Sequence, residues 1–240
     1  MATSESEKEH ILTIKCVVVG DERIGKSCFI ARLSGHSFRS HYRPTMVNLT
    51  SVRTTREGRL MLVDCWDTPD KKMLLLANEI AFVGAHHLHN IRLLAYQNTH
   101  IFAVCFSVVM PQSFENVSTK WMKEIRELGP PNASVILIGL QGDLRGDEEV
   151  NSALRELGLQ SPTPDACVAL AESIGAIRYF ECSSKTQTGF CEVLEVLKMA
   201  VPEPVRIVRH VSVSFPSRGT FTDVNVIKKT RKSLPRTTET

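Results

Sequence analysis

A glycine-rich loop between an apolar run and an amphipathic one constrains this chain more than any other feature. The run Leu12–Val19 leads directly into Gly20–Ser27, which fits the pattern G-x-x-x-x-G-K-[ST]. Glycines let backbone N–H groups wrap a phosphate, and the N-terminus of the helix that follows favours anions. We expect Lys26 to reach the β- and γ-phosphates of a nucleotide and the Ser27 hydroxyl to coordinate Mg²⁺. The alternative is a chance match in a glycine turn, against which the flanking strand and helix argue.

Apolar runs alternate with amphipathic stretches along the chain, which predicts βαβ units and a doubly wound α/β sheet. Three runs are almost continuously apolar, as expected for central parallel strands covered on both faces. The tripeptide Arg56–Gly58 signals a hairpin, so one edge strand should be antiparallel. The predicted strands are Leu12–Val19, Asn48–Thr54, Leu60–Trp66, Ile101–Ser107, Ser134–Ile138 and Ile177–Glu181. The predicted helices are Lys26–Leu33, Ser113–Leu128, Pro164–Ile174 and Gly189–Ala200.

Composition favours one domain with extensions, because the chain has 240 residues of which 42% are apolar. The seven cysteines contain no Cys-x-x-Cys pair, which favours reduced thiols in a cytosolic protein. Residues 1–11 are polar at their start and lack the apolar core of a signal peptide, so we expect a disordered N-terminus. No apolar run reaches the ~18 residues expected of a membrane span.

Several unlinked segments resemble the Rho family of small GTPases, Rac branch, and follow that family's order. They are KCVVVGDERIGKSCF, YRPT, WDT, VCFSVVMPQSFENVSTKW, GDLRGD and IGAIRYFECSSKT. The resemblance covers about Leu12–Val201, and Gly146–Pro164 looks like the insert helix of the Rho family. It implies a P-loop small-GTPase fold, with a six-stranded, mostly parallel sheet flanked by helices. It also implies a switch in signal transduction that binds GTP or GDP with Mg²⁺, while a cytoskeletal role rests on family analogy alone.

The resemblance implies a nucleotide site assembled from several loops. Thr45 resembles the switch I threonine that binds Mg²⁺ and senses the γ-phosphate, although a surface turn is the alternative. Asp67 resembles the acid that holds Mg²⁺ through water, so the metal ligands would be Ser27, Thr45 and Asp67. Tyr42 would close over the phosphates, and Phe38 would lean on the guanine ring. The phosphate-loop residues expected to bind nucleotide are Gly20, Glu22, Arg23, Ile24, Gly25, Lys26, Ser27 and Cys28.

Base recognition in the family uses [NT]-K-x-D, where this chain has the tetrapeptide Leu140–Asp143. Asp143 would accept hydrogen bonds from the ring N–H and the exocyclic amine of guanine. Gln141 replaces the lysine, covers less of the base and carries no charge; the RhoBTB branch similarly has glutamine there. The backbone N–H groups of a loop resembling Ser183, Ser184 and Lys185 contact guanine O6 in the family. The alternative is a relic that no longer binds nucleotide.

Four positions near the expected γ-phosphate depart from the family's pattern. Glu22 replaces the second glycine of the loop, and Pro69, Asp70 and Lys71 replace A-G-Q in D-T-A-G-Q. The two carboxylates bring negative charge, the proline has no N–H, and lysine cannot accept a hydrogen bond from the attacking water. We therefore expect no intact catalytic residue and very weak or absent hydrolysis, resembling the Rnd branch. The alternatives are neutral drift in a slow GTPase and rescue by Arg23 or Lys71 as a cation.

The chain is longer than typical Rho members after Asp67, and the extra residues lie within Lys71–Asn90. This extended switch II segment would either pack locally or dock a partner or a membrane. We expect effector proteins to bind through switch I, at Thr45–Asn48, and through the extended segment. Three functions remain open: a GTP-loaded switch, a pseudo-GTPase scaffold without nucleotide cycling, and a slow conventional GTPase.

The C-terminal segment 202–240 is basic, with eight Lys/Arg against three Asp/Glu. We predict a disordered tail that binds an anionic membrane surface weakly, with a merely solvated tail as the alternative. The last cysteine is Cys191, within the last predicted helix, so we expect no C-terminal prenylation. The chain should be a cytoplasmic monomer, peripheral on plasma or intracellular membranes, with no nucleic-acid partner. Its predicted domain is 12–201.

Overall fold

The computed structural model describes residues 11–38, 48–68 and 94–200. Within these ranges, six strands form a sheet that has helices on both faces. The strands are β1 Leu12–Val19, β2 Asn48–Arg56, β3 Arg59–Asp67, β4 Ile101–Ser107, β5 Ser134–Leu140 and β6 Tyr179–Glu181. The helices are α1 Lys26–Leu33, α2 Pro111–Asn116, α3 Met122–Leu128, α4 Glu148–Glu156, α5 Pro164–Ser173 and α6 Phe190–Met199.

The sheet order is β2-β3-β1-β4-β5-β6. Only β2 runs antiparallel to its neighbour β3, and the other adjacent pairs are parallel. The predicted six-stranded, mostly parallel sheet and its antiparallel edge hairpin are therefore confirmed. Because β1, β3, β4, β5 and β6 point the same way, their carboxyl ends meet at one edge of the sheet. That edge is where open α/β sheets bind ligands.

The edge hairpin turns through two residues, since Arg56 pairs with Arg59. Glu57 has φ 52° and Gly58 has φ 75°, so both central residues lie in the left-handed region. Positive φ at both positions defines a type I′ turn, whose twist matches the right-handed twist of the flanking strands. Glycine accepts this conformation freely, whereas Glu57 holds it under strain.

The core has two halves, one on each face of the sheet, because successive residues of a strand point to opposite faces. Along β1, Ile14, Cys16 and Val18 face α1 and α6, while Val17 and Val19 face α3 and α5. The helices supply the buried residues Phe29, Ile30, Leu33, Phe190, Val193 and Leu197 on the first face. On the second face they supply Val117, Trp121, Met122, Ile125, Cys167 and Ala171.

The predicted helix Ser113–Leu128 is longer and less regular than expected. It begins at Pro111, a residue favoured in the first helical turn. A π-helical turn, Val117–Trp121, then separates α2 from α3. One extra residue per turn is the defining feature of π geometry, and such bulges are frequent at functional sites. The hydrophobic periodicity of the sequence does not predict this bulge.

Element boundaries elsewhere move by a few residues, as helix and strand ends commonly do. The last strand begins at Tyr179 rather than Ile177, although the Ile177 N–H still bonds the Val135 carbonyl at 2.8 Å. The insert segment forms α4, whose N-cap Asp147 accepts a hydrogen bond from the Val150 N–H. Among the described residues, no helix is both long and apolar enough to cross a membrane. The predictions for residues 1–10, 71–90 and 202–240 lie outside the described ranges.

Replacing Glu57 with Asn should stabilise the hairpin, because asparagine tolerates positive φ better than glutamate. The Arg56–Glu57 ion pair that is lost spans 3.6 Å and involves an exposed carboxylate, so its removal costs little. We expect a gain of up to about 1 kcal/mol in the free energy of unfolding, measured by urea denaturation. The control Glu57→Val, which is β-branched, should lose stability. A less stable Asn variant would contradict the turn assignment.

Candidate nucleotide-binding site

The phosphate loop passes so close to β4 that its first residue must be glycine. A Cβ on Gly20 would lie 2.3 Å from the Cys105 carbonyl oxygen and 2.7 Å from Ile24 Cδ1. The loop ends at Gly25, which caps α1 with φ 101°. Both glycines of the motif are therefore required by backbone geometry, as expected of a loop whose N–H groups wrap a phosphate.

Lys26 lies inside this loop and is only 8% exposed. Its ammonium donates hydrogen bonds to the carbonyl oxygens of Gly20, at 2.9 Å, and Asp21, at 2.6 Å. These contacts hold a positive charge where the loop amides converge. The arrangement can attract phosphate oxygens, as the motif predicts.

The other predicted phosphate-loop residues differ in exposure. Glu22 is half-buried, Arg23 is exposed with φ 62°, and Ile24 is fully buried in the core. Cys28 is half-buried at the start of α1. Burial, with the nearby Asp67 carboxylate, raises the pKa of the Cys28 thiol, so this group stays neutral.

Two oxygen ligands meet where α1 begins and β3 ends. The Ser27 hydroxyl donates to Asp67 Oδ2 at 2.5 Å, and Asp67 is buried. The next residue, Thr68, donates from Oγ1 to the Val18 carbonyl at 2.8 Å, which fixes the end of β3 against β1. A hydroxyl and a carboxylate are hard oxygen donors, so the pair fits Mg²⁺ shared with phosphate oxygens. The third predicted ligand, Thr45, lies outside the described residues, as does Tyr42.

Side chains of the helical segment that contains the π turn also hold the phosphate loop in place through hydrogen bonds. Asp21 accepts hydrogen bonds from Asn116 Nδ2 at 2.6 Å and from Trp121 Nε1 at 2.8 Å. Lys120 Nζ lies 3.6 Å from the same carboxylate and 4.3 Å from the centre of the Trp121 ring. Asn116 and Trp121 are five residues apart, the spacing that a π turn brings together. Asp21 was absent from the predicted site, and only the unusual helix geometry reveals its role.

The predicted base-reading loop follows β5. Gln141 adopts the left-handed conformation, φ 62° and ψ 34°, and its side-chain oxygen accepts a hydrogen bond from the Ser107 hydroxyl at the end of β4. Asp143 Oδ1 accepts from the buried Ser183 hydroxyl at 2.6 Å. The structure therefore brings Asp143 beside the Ser183 loop, as the resemblance implied.

The loop after β6 is closed by its own hydrogen bonds. The Ser183 N–H bonds the Thr188 carbonyl at 3.2 Å, and the Ser183 hydroxyl accepts from the Thr186 N–H at 3.1 Å. Ser184 is half-buried and Lys185 is exposed. Phe38, predicted to lean on the base, is exposed at the end of the first described range.

A charged pair lies immediately behind the base-reading loop. Arg145 Nε donates to Glu181 Oε1 at 2.9 Å, and Arg145 Nη2 donates to Oε2 at 2.7 Å. The Tyr179 hydroxyl donates to the same carboxylate at 2.7 Å. Burial alone would raise the pKa of Glu181, but the hydrogen bonds from Arg145 and Tyr179 outweigh it and lower that pKa. Burial and the bond to Glu181 raise the pKa of Tyr179.

Sequence reasoning missed Asp21, Ser107, Arg145 and Glu181. A signal existed for the last two: each lies within two residues of a predicted base-contacting residue, at the ends of neighbouring parallel strands. Opposite charges at adjacent strand ends are close enough to pair. Three of the four positions that depart from the family's pattern, Pro69, Asp70 and Lys71, lie outside the described residues.

A glycine-rich phosphate loop, an adjacent Ser–Asp oxygen pair and a carboxylate loop at one sheet edge define a P-loop nucleotide-binding protein. The family model described as "Ras family" matches residues 15–203. The chain therefore belongs to the Ras family of small GTPases.

Its relatives place it among the Rho-related members of that family. The chain is 38% identical over 185 residues to "Rho-related GTP-binding protein RhoV" of Rattus norvegicus, and equally so to the RhoV proteins of Bos taurus and Homo sapiens. Each alignment covers 77% of this chain and 72% of the relative. The predicted resemblance to GTP-binding Rho-family GTPases is thereby confirmed.

Replacing Asp21 with Ala should destabilise the domain. The substitution removes the acceptor of the Trp121 indole N–H and the Asn116 amide, and losing a charged acceptor costs about 1–3 kcal/mol. Urea denaturation measures the loss. The control is Glu115→Ala, which removes an exposed carboxylate from the helix that carries Asn116. It should change the free energy of unfolding by less than about 0.5 kcal/mol. Equal free energies of unfolding for the two variants would show that the contacts of Asp21 do not stabilise the domain.

Glu181 should make folding stability depend on pH. Because its pKa is lowered in the fold, its contribution is present above the usual value of 4.5 and is lost as pH falls through the lower folded value. The difference in unfolding free energy between wild type and Glu181→Gln should therefore be constant near neutrality and shrink in acid. Glu148→Gln, on an exposed ion pair of 3.7 Å, is the control and should give a difference near zero throughout. If the difference in unfolding free energy between the wild type and Glu181→Gln stays constant down to pH 4, the lowered pKa of Glu181 is contradicted.

Proposed function

We propose that this chain is a guanine-nucleotide-binding, Rho-like signalling switch that hydrolyses GTP very weakly or not at all. It would hold GTP with Mg²⁺ for long periods and act by binding effectors. The observation that supports the proposal most is the phosphate loop itself. It keeps the glycines and the lysine of the phosphate-binding motif but carries a carboxylate at Glu22. The Rnd branch, which stays GTP-bound, is the family analogy for this behaviour.

The retained groups support nucleotide binding. Lys26 is held inside the loop by two carbonyl oxygens, and Ser27 lies against Asp67 as a hydroxyl–carboxylate pair. When Mg²⁺ is bound there, it would neutralise phosphate charge and orient the triphosphate. Asp143 supports guanine selectivity, because Ser183 occupies one of its oxygens and orients the carboxylate.

The altered groups argue against hydrolysis. Glu22 follows Asp21, whose carboxylate is fastened to Asn116 and Trp121, so the backbone at Glu22 has little freedom to withdraw. A carboxylate on that backbone adds bulk and negative charge where the attacking water must be oriented. Lys71, in place of glutamine, offers no acceptor for that water.

The base site resembles the RhoBTB pattern, with Gln141 in place of lysine. The Gln141 side chain is engaged with Ser107 rather than extended as a charged stem. We propose that guanine affinity is lower than in relatives with lysine, while selectivity is retained through Asp143.

The remaining parts of the proposal rest on the sequence. Effector proteins would bind through switch I, at Thr45–Asn48, and through the extended switch II segment Lys71–Asn90. The basic segment 202–240 would bind an anionic membrane surface, with loss of binding at high salt. The protein would act as a cytoplasmic monomer, peripheral on membranes.

Nucleotide extraction from purified full-length protein tests the first half of the proposal. The nucleotide released by heat or acid is identified by chromatography, and we expect GTP. Recovery of GDP would favour a slow conventional GTPase, and recovery of none from protein that also takes up none in millimolar Mg²⁺ would favour a scaffold. The control Lys26→Ala should carry no nucleotide, because it removes the ammonium from the loop.

Single-turnover hydrolysis tests the second half. An intact relative turns over at about 10⁻⁴ per second without an activator, and we expect this chain to be slower. Restoring two of the four altered positions in the double variant E22G/K71Q should raise the rate above that of the wild type. The matched control E115G/K71Q leaves the loop carboxylate in place and should remain slow. A wild-type rate at the baseline would refute impaired hydrolysis while leaving nucleotide binding intact.

A further inference from the structure

We propose that Arg145 is a positioning residue for guanine recognition, joining the loop that carries Asp143 to the end of β6 and to the insert segment. The proposal rests on the proposed guanine-nucleotide binding and adds a residue that does not itself reach the base. Removing Arg145 would therefore change how strongly the protein distinguishes guanine from a purine without the exocyclic amine.

Three residues of the turn after β5 are bonded to three consecutive residues at and just after the end of β6. The Gly142 N–H donates to the Cys182 carbonyl at 3.1 Å. Asp143 receives the Ser183 hydroxyl, as described above. Arg145 closes the other side of the turn through its guanidinium and the Glu181 carboxylate. The short turn that presents Asp143 is thus held on both sides and at its centre.

Arg145 is suited to this role because its guanidinium makes several directed bonds at once. Both nitrogens of the fork engage the Glu181 carboxylate, and Nη1 donates to the Pro162 carbonyl at 2.5 Å. A bidentate guanidinium–carboxylate contact fixes orientation as well as distance. Tyr179 holds the far side of the carboxylate, so Glu181 is itself oriented.

The charged pair has little space in which to shift. A Cβ on Gly142 would lie 3.0 Å from Glu181 Cγ and 3.2 Å from Oε1, so the backbone of the turn rests against this side chain. The Glu181 side chain therefore packs directly against the residue that precedes Asp143.

The same arginine links the base loop to the insert helix. Asn151 Nδ2, on α4, donates to the Arg145 carbonyl at 3.0 Å. The Pro162 carbonyl, beyond the end of α4, receives the guanidinium. One attachment lies within α4 and the other lies beyond its end, so Arg145 connects the position of this helix to the position of Asp143.

The expected chemical consequence is specific to the base. Guanine offers Asp143 two donors, the ring N–H and the exocyclic amine, whereas hypoxanthine offers only the ring N–H. A well-oriented carboxylate can accept hydrogen bonds from both donors of guanine. A misplaced carboxylate therefore loses more binding energy with guanine than with hypoxanthine, which needs only one bond. Loss of Arg145 should therefore weaken GDP binding more than IDP binding.

The test compares dissociation of fluorescent GDP and fluorescent IDP from the full-length protein and from R145M. We expect GDP release to accelerate about tenfold, equivalent to ~1.4 kcal/mol, and IDP release to accelerate clearly less. The ratio of the two rates is the decisive readout, because general destabilisation of the fold would speed both releases equally. Should R145M fail to fold, R145K carries the comparison, since lysine keeps the charge but loses the fork.

Two further variants control the interpretation. E181Q should shift the ratio in the same direction as R145M, and the double variant should add nothing further, because both act through one contact. R155M, on α4 and in an exposed pair with Glu148, should leave the ratio unchanged. An unchanged ratio in R145M or its substitute overturns the proposal and leaves the proposed function standing. Failure of the wild type to bind GDP would overturn both.

Discussion

The contact between Gly20 and the Cys105 carbonyl is the constraint on which the site depends. The phosphate loop crosses the end of β4 at a distance that admits no Cβ, so the chain must turn sharply there. That turn directs Lys26 back into the loop and starts α1 at Gly25. The Ser27 hydroxyl then reaches the Asp67 carboxylate at the end of β3. One close backbone approach thus sets the relative positions of the anion cradle and the oxygen pair.

The hydrogen bonds and ion pairs that hold the site together come mainly from residues that would not contact nucleotide. Asp21 is held by the helix that contains the π turn, and Arg145 is held by Glu181 and Pro162. Both are charged groups in partly buried positions, where a charged side chain is tolerated only when its partners satisfy it. Their partners come from distant parts of the chain, so the same contacts that satisfy the charges also lock two loops onto the sheet.

These contacts bear on the proposed loss of hydrolysis. A rigid phosphate loop can bind an anion through its backbone even when one of its side chains is a carboxylate. In the proposed function, the same rigidity would keep Glu22 near the expected γ-phosphate rather than let it move aside. Binding and hydrolysis can therefore separate in this fold, because binding uses loop backbone and Lys26, whereas hydrolysis needs a water held by groups that the chain has replaced.

The sequence alone determined the fold class, the six-stranded, mostly parallel sheet with its antiparallel edge hairpin, and the approximate bounds of the strands. Local signals sufficed there, because apolar runs, Gly20–Ser27 and the hairpin glycine act through neighbouring residues. Tertiary structure alone decided the π turn, the pairing of Asp21 with Trp121 and the pairing of Arg145 with Pro162. These pairs lie 100 and 17 residues apart in sequence, and strand register and helix packing bring them together. Apart from the opposite charges of Arg145 and Glu181, no local pattern indicates such contacts, so the sequence predicted the residues expected to bind nucleotide but not the residues that hold their loops in place.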